Sequence, residues 1–128
     1  KKEERLAAAA VSKYSIKTPT TEKLMVELSG GNQQKTILGR WTSEMMDTKV
    51  LILDEPTKGI DVGAKAEVYQ MVHDLASLGI GVIFISSELI EVLNISDRII
   101  VMHNGHITGE VTRHEATEER VLELAMKD

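Results

Sequence analysis

The chain has 128 residues, 42% hydrophobic and 27% charged with four aromatics, which is the composition of one soluble globular domain or part of one. It lacks cysteine, so a disulfide framework and thiolate metal sites are excluded, as in an intracellular protein, and its net charge of −5 argues against electrostatic wrapping of nucleic acid. No apolar run approaches the roughly 18 residues needed to span a bilayer, so any membrane role is expected to be peripheral.

Lys1 to about Tyr14 is rich in Ala, Lys, Glu and Leu and predicts a helix, interrupted by Thr18-Pro19. Its start in helical sequence without a methionine leads us to expect part of a longer chain. The basic excess of the first twenty residues reads as a solvated helix face. A second helix is expected to start at the glycines of Ser29-Gly30-Gly31, with Asn32 to about Glu44 carrying Ile37, Leu38 and Trp41 at helical spacing. Val50 to Leu53 reads as a strand covered on both faces, stopped by Asp54-Glu55-Pro56. Gly63 to Leu78 predicts a helix with Ala66, Val68, Tyr69, Val72, Leu75, Ala76 and Leu78 inward, ended by Gly79. Val82 to Ile85 gives a second strand of the buried type, so strand, helix and strand make a right-handed βαβ unit. A short helix over Glu88 to Leu93 follows. Strands over Arg98 to Met102 and His106 to Val111 are joined by the hairpin dipeptide Asn104-Gly105. A last helix runs from Glu115 to Met126, capped by Thr112 or Thr117.

Two segments carry chemistry. Asp54 and Glu55 end a strand where ligands sit in open α/β sheets, and suit a magnesium nucleotide: one carboxylate for the metal, its neighbour to accept a proton from attacking water. The pair also fits a turn device or a helix-start charge. Leu28-Ser29-Gly30-Gly31-Asn32-Gln33-Gln34-Lys35 puts two glycines before a helix whose free N–H groups and dipole favour an anion, or it is an ordinary loop before a helix.

Taken with Thr57-Lys58-Gly59-Ile60-Asp61, these segments resemble the signature, Walker B and D-loop of ABC-transporter ATPases, in family order. With Ser86-Ser87-Glu88-Leu89 and Ser96-Asp97-Arg98, the resemblance extends from about Thr18 onward. The longer strings look like the second ATPase half of duplicated monosaccharide importers of the ribose and galactoside kind. The fold so implied is α/β: a partial P-loop NTPase with a parallel βαβ core, a carboxyl-terminal hairpin and flanking helices. The chain would be the carboxyl-terminal part of one ATPase domain, with residues 1–45 ending the helical subdomain and signature helix, and 46–128 carrying Walker B, the D-loop, the switch region and the hairpin.

The resemblance implies ATP and Mg2+ as cofactors. Ser29, Gly30 and Gly31 would face the γ-phosphate of a nucleotide held by the opposite ATPase domain, with Gln33 among the nucleotide-facing residues. Asp54 would bind the magnesium shell, Glu55 would orient or deprotonate water, and Asp61 would link the two domains. The implied partners are a second ATPase domain and a membrane permease, not nucleic acid, and the implied location is cytoplasmic, on the inner face of the membrane.

Two departures stand out. Ser87 occupies the switch position where the family usually has histidine, and losing a positioned polar group there costs roughly 10²–10³ in rate. Furthermore, none of the nine glycines is followed by lysine, so the phosphate-cradling G-x-x-x-x-G-K-[ST] loop is absent from the segment. An apolar sheet face or edge is then expected to lie uncovered, which favours an oligomer or swapped dimer of the segment alone. The leading expectation is an ATP-hydrolysing subunit powering sugar import. The alternatives are a non-hydrolysing half that completes its partner's site, and a lobe of a DNA-maintenance ATPase, against which the acidic balance and lack of heptads count. Histidines 73, 103, 106 and 114 do not suggest a metal site. The methionines and Trp41 are expected in core and interface packing, and Lys35 and Arg40 fit either a solvated face or phosphate contact.

Overall fold

The computed structural model describes residues 2–43 and 47–127, divided into two compact units, Lys1–Ile83 and Phe84–Asp128. The first unit opens with α1 (Lys2–Lys13), followed by a 3₁₀ turn at Met25–Glu27 and by α2 (Gly30–Trp41). Helix α2 thus starts at the glycine pair, with both glycines inside its first turn. Glu44, the expected helix end, lies outside the described residues.

Strand β1 (Val50–Asp54) leads through a turn to α3 (Val62–Ser77), and Gly79, at φ +88°, ends that helical segment before β2 (Gly81–Ile85). The strands are neighbours in a two-stranded parallel sheet, with the Gly81 N–H donating to Lys49 O at 2.9 Å. The α3 crossover between them is what a parallel pair requires.

The strands are not covered on both faces. Leu51 and Leu53 are buried, whereas Val50 and Ile52 are 58% and 64% exposed. Among the described residues of this unit no second layer lies on that face, so a continuous apolar run shows a one-sided burial pattern. On α3 the buried stripe is Val68, Met71, Val72 and Leu75, while Ala66, Ala76 and Leu78 are exposed. The inward face therefore follows the 68, 71, 72, 75 spacing. Met25, Trp41, Met102 and Met126 are exposed, so among the described methionines only Met71 packs in the core.

In this first unit, α1 leans on α2 through Tyr14. Its ring lies where a Cβ on Gly39 would come within 2.9 Å, and its hydroxyl meets Thr42 Oγ1 at 2.6 Å. Glycine is needed at 39 because two helices meet there at the distance of an aromatic ring.

The second unit holds α4 (Leu89–Ile95), β3 (Arg98–His103), β4 (His106–Thr112) and α5 (Glu118–Ala125). Strands β3 and β4 pair antiparallel around Asn104 and Gly105, whose φ values of 46° and 79° are those of a type I′ turn. Their register shifts between Val101 and Met102. Ile99, Val101 and Val111 pack with Val121 and Leu124 of α5 as the core of this unit. Each fully buried side chain of this kind contributes about 1.5–3 kcal/mol. Helix α5 begins at Glu118, not Glu115, because Thr117 caps it by accepting from the Arg120 N–H. Glu115 instead accepts from the Thr112 hydroxyl at 2.7 Å and N–H at 3.2 Å, hydrogen bonds that hold its carboxyl below the usual range.

Candidate functional site

Most of the residues singled out by sequence lie in the first unit. Ser29 is the N-cap of α2 with extended backbone, and its side chain does not cap the helix. The first intrahelical bond runs from the Gln33 N–H to Ser29 O at 2.9 Å. Ser29 and Gly30 are exposed at the amino end of α2, a setting that favours an anion, whereas Gly31 and Asn32 of the same turn are buried. Gln33 donates from Nε2 back to Leu28 O at 2.9 Å, tying the first helical turn to the segment before it.

The glycine pair brings two motifs together. A Cβ on Gly31 would lie 2.5 Å from Ala64 Cβ, and one on Gly30 would lie 2.8 Å from Ile60 Cγ2. Only glycine lets the start of α2 approach the start of α3 this closely. Asp61, directly between Ile60 and α3, caps that helix by accepting from the Ala64 N–H at 3.0 Å. Gly31 and Asp61 therefore meet the same residue, Ala64, one through packing and the other through a hydrogen bond.

Asp54 is exposed at the end of β1. The next residue, Glu55, is half-buried and has φ +47°, a left-handed conformation uncommon outside glycine, in a turn where the Lys58 N–H donates to Glu55 O at 3.1 Å. The next two residues, Pro56 and Thr57, are buried. The two adjacent acids thus differ in backbone conformation.

Ser87 belongs to the second unit, where it is exposed just before α4. Its neighbour Ser86 is anchored inward, donating to Glu91 at 2.6 Å and accepting from the Glu88 N–H at 3.0 Å. Glu91 is 3% exposed. Sequence reasoning missed this buried carboxylate, because an acid five residues after a serine is an ordinary helix residue until the fold buries it.

Lys35 is neither on a solvated face nor aimed at an external anion. It is 3% exposed, donating to Ser15 O at 2.8 Å and to Glu67 at 2.6 Å. That hydrogen bond, with the charge of Lys35, holds the Glu67 carboxyl below the usual range. Arg40 instead lies 5.7 Å from the Trp41 ring centroid. Asn32 also escaped sequence reasoning: it is buried, accepts from the Lys17 N–H at 2.9 Å and donates to Ser29 Oγ at 2.8 Å. Among the described residues no group of three or more His, Cys, Asp or Glu side chains is placed to hold a metal ion.

No protein-family model matches the chain. It is 58% identical over 120 residues to the arabinose import ATP-binding protein AraG of Pseudomonas syringae pv. tomato, covering 94% of this chain and 23% of that protein. It is also 56% identical over 124 residues to AraG of Mannheimia succiniciproducens, covering 97% and 24%. The chain thus spans about a quarter of the length of these curated relatives. Among solved structures it is similar to MJ1267, an ATP-binding cassette of an ABC transporter, with a TM-score of 0.80, 26% identity, and coverage of 99% and 51%. The dimeric bacterial ABC-transporter cassette MJ0796 shares the fold, with a TM-score of 0.70, 21% identity, and coverage of 85% and 46%.

Proposed function

The chain belongs to the ATP-binding-cassette ATPases, as part of a cassette similar to those of sugar importers, and from that premise we propose that the complete protein hydrolyses ATP to drive monosaccharide import through a permease. Arabinose, named for the relatives, is the first solute to test. The observation that supports this reading best is the Ala64 junction, where Gly31 and Asp61 meet one residue. A contact made by a second ATPase domain near Asp61 reaches the Ser29–Gly31 turn through a single packed neighbour. Nucleotide contact and domain closure are thereby coupled.

The Asp54 carboxylate supplies the hard oxygen donors that Mg2+ takes, so the residues fit that ion. Asp54 would hold Mg2+, which when bound there would supply charge neutralisation at the phosphates. Glu55 orients the attacking water and accepts its proton. Ser29 and the exposed Gly30 at the amino end of α2 donate to a phosphate held by the opposite domain, and Gln33 steadies that turn. Ser87 takes the switch position. Residues 1–45 and 46–128 are read as the signature and Walker B portions of one ATPase domain. The complete protein would lie on the cytoplasmic face of the membrane, against its permease. The exposed Val50 and Ile52 face supports self-association when the segment stands alone.

Ser87 gives a second reading its footing: a half that hydrolyses slowly or not at all and completes its partner's site. For the leading reading, the test is arabinose uptake by the complete importer reconstituted in vesicles with internal ATP and Mg2+. Uptake is expected to fall at least tenfold on chelating Mg2+ or in Asp54→Asn. ATP-independent uptake, or uptake untouched by both changes, would contradict it.

A further inference from the structure

The Asn32 carboxamide is held at both ends, and the chemistry of its partners fixes its orientation. A backbone N–H can only donate, so the atom facing the Lys17 N–H at 2.9 Å must be the oxygen. The other end, facing Ser29 Oγ at 2.8 Å, must then be the NH₂ group. That group also can only donate, so the Ser29 oxygen is the acceptor of this bond. A hydroxyl has one proton. With the bond from Asn32 occupying acceptor capacity on Oγ, that proton remains available to an acceptor elsewhere.

The support behind Asn32 is built rather than incidental. Asn32 is only 8% exposed. The segment that supplies the Lys17 N–H is pinned by the buried Lys35, which donates to Ser15 O at 2.8 Å, and by Ile16, 6% exposed. Ser29 is exposed and does not spend its side chain on capping α2. We infer that Asn32 is a positioning residue that commits the exposed Ser29 hydroxyl to donating, so that Ser29 serves a ligand atom able only to accept, such as a phosphoryl oxygen. The inference rests on the nucleotide-facing role proposed for Ser29, and it adds a polarity to that role.

The test uses the complete ATP-binding protein with its permease, with kcat and KM for ATP measured at saturating Mg2+. Asn32→Asp keeps the shape and still accepts from the Lys17 N–H, but its carboxylate accepts the hydrogen bond that the Ser29 hydroxyl would otherwise donate elsewhere. Asn32→Ala leaves the hydroxyl unordered yet free to donate. Ser29→Ala is expected to lower kcat at least tenfold, and Asn32→Asp by a similar factor, as befits loss of one donor to a developing charge. Asn32→Ala is expected to lower it only about threefold, since the hydroxyl can still donate. In the Ser29→Ala background, either change at 32 should alter kcat by less than about twofold, because residues acting as one unit are not additive.

A purely structural Asn32 would give the opposite order, alanine worse than aspartate, and losses that persist in the Ser29→Ala background; either result overturns the inference. An unchanged kcat in Ser29→Ala would instead overturn the role proposed for Ser29. Should Asn32→Asp fail to fold, Asn32→Ala in the two backgrounds carries the same comparison.

Discussion

Gly31→Ala in the complete protein is expected to lower ATP turnover by about 10²-fold and unfolding stability by about 1–3 kcal/mol. The added methyl would sit 2.5 Å from Ala64 Cβ, a separation that side-chain rotation cannot relieve because both carbons are fixed to backbone. Helices α2 and α3 must therefore separate at their first turns. Ala64 is also the residue whose N–H is capped by Asp61, so the displacement unseats the Asp61 corner together with the Ser29–Gly31 turn. A shift approaching 1 Å at a positioning element is enough to cost a hundredfold in rate.

Two controls separate this effect from general disturbance. Gly81→Ala would meet Lys49 O only at 3.6 Å and Val50 Cγ2 at 3.7 Å, ordinary contact distances, and should leave turnover within about twofold. The double change Gly31→Ala with Ala64→Gly removes the colliding carbon and leaves Ala64 Cα at 3.6 Å. It should recover most of the turnover, less the roughly 0.5–1 kcal/mol that a helical glycine costs. Urea denaturation and steady-state ATPase assays read both quantities. Turnover that stays low in the double variant while stability returns would detach the Ala64 junction from function.

Glu55→Gln is expected to lower single-turnover hydrolysis at its own site by roughly 10²–10³-fold while ATP binding persists. The amide keeps the size and hydrogen-bonding reach of the side chain but cannot accept the proton of the attacking water. Its conformation supports a functional demand. Glu55 holds φ +47°, which costs about 1–2 kcal/mol for a residue with a Cβ. Strain of this kind concentrates where a side chain must be aimed. Glu55→Gly, which relieves that strain but removes the carboxylate, should lose hydrolysis as severely as Glu55→Gln. Equal hydrolysis in wild type and Glu55→Gln, against a large loss from the equivalent change in the other ATPase domain, would favour the non-hydrolysing reading suggested by Ser87.

Much of the fold could be read from local sequence because local rules govern those parts. The Asn104-Gly105 hairpin needed only two residues willing to adopt positive φ, and both do so. Gly79 after the α3 periodicity and the apolar run from Val50 were equally local. What escaped depends on partners distant in the chain. Lys35 is buried because Glu67, 32 residues away, and Ser15 O receive its protons, and no spacing within α2 announces either. The one-sided burial of β1 was hidden because Val50-Leu51-Ile52-Leu53 is equally apolar at exposed and buried positions.

The candidate site divides in the same way. Asp54 at a strand end and the glycines at a helix start were legible as types of position. Why both glycines are required was not, since their constraint is the approach of Ile60 and Ala64. Asn32 reads as one more polar residue after the glycines until Lys17, 15 residues earlier, is seen to hold its carboxamide.

The most direct measurement is a cysteine cross-link. The segment contains no cysteine, so Ser29→Cys introduces a single thiol into it, to be paired with one placed in the phosphate-binding loop of the proposed second ATPase domain. ATP and Mg2+, under conditions that block hydrolysis, should promote rapid cross-linking between Ser29→Cys and the opposite domain, and removing nucleotide should suppress it. Absence of that cross-link in the ATP-bound protein, or preferential coupling to the phosphate loop of the domain that carries Ser29, would contradict a nucleotide site shared between two domains.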